Sequence, residues 1–342
     1  MSRAVAETSI VILNLNGRPF LGACLDSLRR LTAPAEVIVA DNGSADDSVD
    51  FVRQNYPEAA VVPLSRTNLG FAEGYNRALA RVDSPWLVLL NNDAALEPAW
   101  LECLLHTAAQ NPEAAILGGK LLFSNVAGRV IQSAGARFTD SGAAFEIGWG
   151  QPDSGQYDRP GPVGSIPGAA MLIRRSVFVE LGGFDSAYFA YLEDVDLCWK
   201  AWLAGYRVLY EPGAVAFHRF GASGGGRASP FRIRWMQRNR LANMLKHLEA
   251  PSLVQALPVS LAYDAYRMLE YAGRGHWAAV RAMLAGRWAF WRQARQILGQ
   301  RALLQRRRRM SDRDLRRQGL LVPAWAAFAE YRRLNRLAAS WR

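Results

Sequence analysis

Cysteine is scarce: Cys24, Cys103 and Cys198 are the only three in 342 residues. They are odd in number, isolated and within stretches expected to be helical, which excludes a disulfide framework and a zinc knuckle and makes a reducing cytosol the expected compartment. Long apolar runs are also missing. The longest uncharged apolar stretch of the C-terminal half, Ser252 to Tyr263, is about half of the ~20 residues a spanning helix needs, and Pro258 interrupts it. No transmembrane helix is therefore expected. Met1 to Ser9 lacks the basic-then-apolar order of a secretory signal and runs straight into an apolar strand. The phosphate fingerprint G-x-G-x-x-G is absent, which argues against a dinucleotide-dependent oxidoreductase.

Acidic residues are thin at one end. Residues 1–226 carry 17 Lys and Arg against 24 Asp and Glu, net −7, whereas residues 227–342 carry 24 against 6, net +18. The overall +11 thus hides an acidic-leaning body and a basic tail. The division expected from this is chemistry in 1–226 and, in 227–342, a mainly helical region that meets an acceptor, a membrane surface or a second copy.

What is present begins with alternation. Apolar strands at 9–13, 36–40, 60–64, 86–90 and 115–119 are separated by helical patterns near 18–31, 46–55, 72–82 and 97–110. This pattern predicts a mostly parallel α/β sheet with helices on both faces. Residues 125–168, rich in Gly, Ser and Pro, read as an irregular insertion with strand-like pieces such as Arg129 to Ser133. A strand at 169–173, a helix from Arg175, an acidic helix over 192–204 and strands at 207–210 and 214–217 follow. Everything from Phe231 onward reads as helical.

Three strands end in polar tips: Asn14-Leu15-Asn16-Gly17, Asp41-Asn42-Gly43-Ser44 and Asn91-Asn92-Asp93. In an open α/β sheet such tips border the ligand crevice. Asp41 suits a ribose hydroxyl or a base edge, and equally suits shaping its own turn. Asn68 and Asn76, around Gly70 and Gly74, suit a base, a ribose or the main chain. Asp93 is a hard oxygen donor for a divalent cation, with Asn92 and Asn91 as weaker neutral neighbours. Glu193, Asp194 and Asp196 lie in a first helical turn, off the apolar stripe of Leu192, Val195, Trp199 and Trp202. An ionised Asp there can serve as a general base or simply favour the helix dipole. His218 ends an apolar run just before the glycines at 221 and 224–226, as a metal ligand or a structural histidine, while His106, His247 and His276 look incidental.

In order along residues 8–248, the segments SIVILNLNG, VIVADNGSADDS, NLGFAEGYN, LLNNDAALEP, PGAAMLIRRSVFVELGGFD, YLEDVDLCWKAWLAGYRVLYEPGAVAFH and RNRLANMLKH together resemble glycosyltransferase family 2, inverting enzymes of the GT-A fold. Within it they look most like bacterial rhamnosyltransferases that build cell-wall or surface polysaccharides. The resemblance implies a Rossmann-like mixed sheet flanked by helices, with a helical C-terminal extension. It implies that Asn14, Asn16, Asp41, Asn68 and Asn76 surround the nucleotide of a dTDP- or UDP-sugar, and that Asn92 faces its ribose or sugar. Asp93 in the family's D-x-D position and His218 would hold Mg²⁺ or Mn²⁺, Asp194 would be the catalytic base and Glu193 its companion carboxylate. Asn91 departs from the pattern, removing one negative charge from the metal site. The Gly221–Gly226 stretch reads as a lid or a linker, and Arg238 or Arg240 as diphosphate contacts or solvated cations.

In the tail, Trp277, Val280, Leu284, Trp288, Trp291 and Leu298 recur at helical spacing among Arg274, Arg281, Arg287, Arg292 and Arg295. Such a helix fits an anionic bilayer carrying a lipid-linked acceptor at the inner face of the plasma membrane, and fits equally packing on the catalytic part or on a homodimer partner. Arg306 to Arg309 adds charge for lipid phosphate, and no nucleic-acid-binding fold is recognisable. Beside an inverting hexosyltransferase acting on a lipid-linked or polysaccharide acceptor, two other readings stand: a sugar-nucleotide nucleotidyltransferase and a non-catalytic nucleotide-sugar-binding scaffold.

Overall fold

The computed structural model describes residues 6–221, 229–326 and 329. Three β-branched-rich runs form β1 (Thr8–Asn14), β2 (Glu36–Asp41) and β3 (Ala60–Pro63), linked by α1 (Arg18–Leu28) and α2 (Ser48–Asn55). Next come α3 (Gly70–Leu79), β4 (Trp86–Asn91), a turn through Asn92 and Asp93, β5 (Ala94–Leu96), α4 (Trp100–Gln110) and β6 (Ala114–Phe123). The Gly-, Ser- and Pro-rich insertion carries β7 (Ile131–Ser133), β8 (Ala136–Thr139), β9 (Ala144–Glu146) and β10 (Gly161–Pro162). The chain then returns through β11 (Ala170–Arg174), α5 (Arg175–Glu180), α6 (Glu193–Leu203) and β12 (Arg207–His218). The tail is α7 (Pro230–His247), α8 (Ala250–Gly273), α9 (Trp277–Arg292), α10 (Ala294–Arg307), α11 (Asp312–Arg317) and a short β13 (Leu321–Val322).

The main sheet runs β10-β12-β6-β11-β4-β1-β2-β3. It is mixed. β3, β2, β1 and β4 are parallel, as are β6 and β12, but β11 lies antiparallel between β4 and β6. The alternation of strands and helices therefore overstates the parallel content: β11 is buried on both faces, and such a strand reads the same in either direction. The tail also contributes a strand, with β13 pairing β8 beside β9, where only helices were expected.

Side-chain alternation divides the core into two layers. Ile10, Ile12, Val39, Val88 and Leu90 face α1 and α4, while Val11, Ile38, Leu87 and Leu89 face the layer holding α3 and α6. In that second layer α6 is buried nearly all round, including Trp199 and Trp202. The expectation of one apolar stripe with its acids outside is corrected here: α7 covers the side where Asp196 lies, leaving its carboxylate fully buried. That charge is balanced by Lys200 at 3.2 Å and by Lys246, and His247 Nε2 lies 2.8 Å away as a hydrogen-bond donor. Burial works against ionisation, yet the two ammonium groups and the histidine bond hold the Asp196 carboxyl well below the usual range. His247, fully buried and stacked on Trp199 with ring centroids 5.0 Å apart, is a structural partner of α6 rather than an incidental residue.

Candidate active site

The polar ends of β1 and β2 are tied together by their own side chains. Asn14, wholly buried, donates to Ser48 Oγ at 2.9 Å and Ser44 Oγ at 3.1 Å, and accepts from Asn92 Nδ2 at 3.1 Å. Asn16, at φ 50°, accepts from the Ala45 amide at 2.8 Å, and Asp41 accepts from the amides of Gly43 and Ser44. Asn68 accepts from the Gly70 amide at 2.8 Å. Asn76 points elsewhere: its amide donates to the Phe184 carbonyl at 2.8 Å and its oxygen accepts from the Phe184 amide at 2.9 Å, fastening α3 to the loop before α6.

Beside these tips lies an open pocket of about 440 Å³. Asn68, Asn92, Asp93, Glu193, Asp194 and His218 all line it, whereas Asn14, Asn16, Asp41 and Asn76 do not. Long-range pairing assembles it. β5 runs antiparallel to the end of β12 with Ala94 opposite His218, so residues far apart in sequence meet, and His218 Nε2 lies 3.3 Å from Asp93 Oδ1. The same nitrogen is 3.3 Å from the Asn91 amide nitrogen, and Nδ1 on the other side of the ring meets the Gln132 side chain at 3.0–3.1 Å. Among the described residues no three His, Cys, Asp or Glu side chains gather as a metal cage. Asp93 and His218 offer a cation one oxygen and one nitrogen, with the neutral Asn91 alongside.

The opposite wall is the start of α6. Before it, Phe189, Tyr191 and Leu192 adopt left-handed backbone at φ 55°, 70° and 67°, an arrangement that costs each side chain steric strain. Asn239 of α7 holds this turn: its amide nitrogen donates to the carbonyls of Tyr188, Ala190 and Tyr191 at 3.0, 2.9 and 2.7 Å. Gly70 supports it from the other side. A Cβ there would stand 2.5 Å from the Phe189 carbonyl oxygen, and the Gly70 φ of 81° also favours glycine. The strained turn aims the first two acids of α6 into the pocket.

Those two acids differ. Asp194 accepts from the Gly168 amide at 2.9 Å and from the Val195 amide at 2.8 Å. Burial raises its pKa, while both amides favour the carboxylate. Glu193 has Oε2 buried with no hydrogen-bond partner, and burial reinforced by Asp194 drives its pKa well above normal. Glu193 is thus pushed further toward its neutral form than Asp194, whose carboxylate the two amides hold. A third carboxyl, Glu146 of β9, lines the same pocket and accepts from Ser133, and burial pushes its pKa up to about 8.

Several pocket residues were not anticipated from the sequence: Glu146, Gln132, Trp149, Phe189 and Arg232. The first three belong to the insertion, whose path no local pattern reveals. Arg232 sits in the first turn of α7 over the rings of Tyr191 and Phe220 at 4.9 and 5.2 Å. A cation there runs against the helix dipole, a signal readable in the sequence once the helix start at Pro230 is recognised. Arg232 lines the pocket, whereas both arginines expected as diphosphate contacts are spent inside the tail. Arg238 is bound to Gln293 and Asn239, and Arg240 to Asp264 and Ser260. Of the glycine stretch, residues 222–228 lie outside the described residues.

A mixed sheet of this topology, with a carboxylate at the tip of β4 and a strained acidic helix start across the pocket, is the architecture of GT-A glycosyltransferases. The chain belongs to glycosyltransferase family 2, whose model, described as "Glycosyltransferase like family 2", matches residues 6–242. It is similar to the N-acetylglucosaminyl-diphospho-decaprenol L-rhamnosyltransferase of Mycobacterium tuberculosis, 31% identical over 232 residues that cover 61% of this chain and 75% of that protein. Among solved structures, the mannosyltransferase PcManGT from Pyrobaculum calidifontis, in complex with GDP-Man and Mn²⁺, matches with a TM-score of 0.52 at 17% identity over 98% of this chain and 84% of that one. GalNAc-T7, solved with UDP, GalNAc and Mn²⁺, matches with a TM-score of 0.54 at 16% identity, over 69% of this chain and 48% of that one. At such identities the two structures speak for the fold alone.

Proposed function

We propose that the protein is an inverting, divalent-metal-dependent hexosyltransferase that moves rhamnose or another hexose from a dTDP- or UDP-sugar to a lipid-linked or polysaccharide acceptor of the cell envelope. The observation that carries the reading is Asp194, held by two backbone amides in the pocket it shares with Asp93 and His218. The similarity to a rhamnosyltransferase whose name specifies a diphospho-decaprenol acceptor supports the sugar and acceptor classes.

In this mechanism Asp194 takes the proton of the acceptor hydroxyl as its oxygen bonds to the anomeric carbon, and the bond from that carbon to the diphosphate oxygen breaks on the opposite face. One displacement inverts the centre, with no covalent glycosyl-enzyme. Glu193, protonated, donates a hydrogen bond to the acceptor without competing for its proton, and Arg232 meets negative charge at the pocket mouth. The donor set suits a cation at Asp93 and His218. With Nδ1–H donating to Gln132, the Nε2 lone pair and the Asp93 oxygen face one another, leaving room for a positive charge. Mg²⁺ or Mn²⁺ bound there would neutralise charge developing on the departing diphosphate.

Asp194→Asn tests the assignment. Transfer is expected to fall by about 10²–10⁴-fold, the usual worth of a general base, while donor affinity stays near normal. Release of nucleoside diphosphate at wild-type rates by that variant would sink the mechanism. Loss of donor binding in Asp93→Ala, read by thermal shift with and without Mn²⁺, checks the metal station separately.

A further inference from the structure

The outward side of the tail has a surface that the catalytic pocket does not explain. From Ala250 to Tyr266, α8 has a single charged residue, Asp264, which is buried and paired with Arg240 and Arg287. Its outer face is instead Val254 at 71% exposure, Leu257, Leu261, Tyr266 and, one turn on, Leu269 at 73%. A helix that meets only water carries charge on that side. The neighbouring helix repeats the pattern. α9 packs on α8 through Ala279, Met283, Met268 and Tyr271, and away from that seam Trp277, Leu284, Trp288 and Trp291 form one stripe. Trp288 and Trp291 are 67% and 68% exposed, and Arg281 stands within the stripe. Among the described residues no helix is long and apolar enough to cross a membrane, so this surface meets its partner from one side.

Charge selects the partner. Residues 250–310 contain eleven arginines and two acids. Both acids are consumed locally, Asp264 as above and Glu270 by Arg267 and Arg274. Arg281, Arg292 and Arg295 make no ion pair among the described residues. A two-fold contact between copies would set such arginines against a face with no acid free to pair them, whereas anionic lipid headgroups supply phosphate to each. Tryptophan and arginine both suit the headgroup boundary, presenting an apolar body below and a polar tip toward phosphate.

We propose that the outer faces of α8 and α9 dock this protein on an anionic lipid bilayer. The surface stands apart from the sugar-transfer reading, and its test reads no catalysis. The full chain is floated with phosphatidylcholine vesicles containing roughly one-third phosphatidylglycerol, and with phosphatidylcholine alone. Binding to the anionic vesicles that weakens as salt is raised is expected, with little binding to the neutral ones. Replacing Trp288 and Trp291 together by Ala is expected to weaken vesicle binding by about tenfold or more, and Leu269→Gln by a comparable factor, with thermal unfolding unchanged because these side chains are exposed. Failure of the wild-type protein to float, or full binding by the variants, would overturn the proposal. So would a lipid-free dimer in sedimentation that these substitutions dissociate without altering flotation, which would assign the face to a second copy.

Discussion

Asn239 shows how a residue outside the pocket can set its geometry. Two amide hydrogens are shared among three carbonyls of a turn in which three non-glycine residues are left-handed, so strain and restraint meet at one side chain. Asn239→Ala takes this donor from the Ala190 and Tyr191 carbonyls, and about 2 kcal/mol of stability should be lost by urea unfolding. Because the turn aims Asp194, turnover should drop further than donor affinity does; equal losses in both would mean that Asn239 serves folding alone. Little of this was legible beforehand. That Asp93, Asp194 and His218 come to line one pocket could be anticipated because strand ends and helix starts are local features. Asn239, Glu146 and Arg232 reach the site only through the path of the insertion and the docking of α7, which no short spacing encodes. The polar residues at the β1 and β2 tips were found, but Asn14 and Asp41 are occupied in building the turns, the simpler use of such residues.

At the level of elements, the strand and helix alternation of the first 120 residues was readable because period-2 and helical apolar patterns are strong there. The direction of β11 was not, nor was β5, three residues long, whose pairing with β12 brings His218 to Asp93. The pairing of α6 with α7 was also hidden, since acids at a helix start usually face water. That pairing makes the fold acid-sensitive. Burial, despite the hydrogen bond His247 donates to Asp196 and with Lys200 and Lys246 opposing a further positive charge, lowers the pKa of His247 from 6.5 to about 4. The unfolded chain therefore binds a proton there that the folded chain does not. The stability contributed is fully present above about pH 6.5 and is lost as pH falls toward 4, up to about 3 kcal/mol. Urea midpoints measured across that window should decline, and His247→Gln, which keeps a donor for Asp196 but cannot be protonated there, should flatten the slope. An unchanged slope in that variant would place the acid sensitivity elsewhere.

Across the whole molecule, contacts cross the charge division near residue 226. α7 supplies Phe231 and Arg232 to the pocket, β13 extends the small sheet of the insertion, and Arg301 and Gln305 of α10 bond the carbonyls that end α7. A chain cut after residue 226 would remove Lys246 and His247 and strip α7 from the side of α6 where Asp196 lies, uncovering the face of Trp199 that His247 stacks on. Laying bare apolar side chains that α7 covers forfeits about 1.5–3 kcal/mol each, a large part of the roughly 5–15 kcal/mol that holds a domain together. The 1–226 fragment should accordingly lose its cooperative thermal transition and its near-ultraviolet circular dichroism. A chain ending at residue 248 keeps the Asp196 partners and the Asn239 clamp but loses the caps from Arg301 and Gln305, so it should melt cooperatively at a lower temperature than the full chain. A 1–226 fragment that melts as sharply and as high as the intact protein would show that the tail is an independent unit. The graded outcome would instead place the first helix of the basic tail within the catalytic fold.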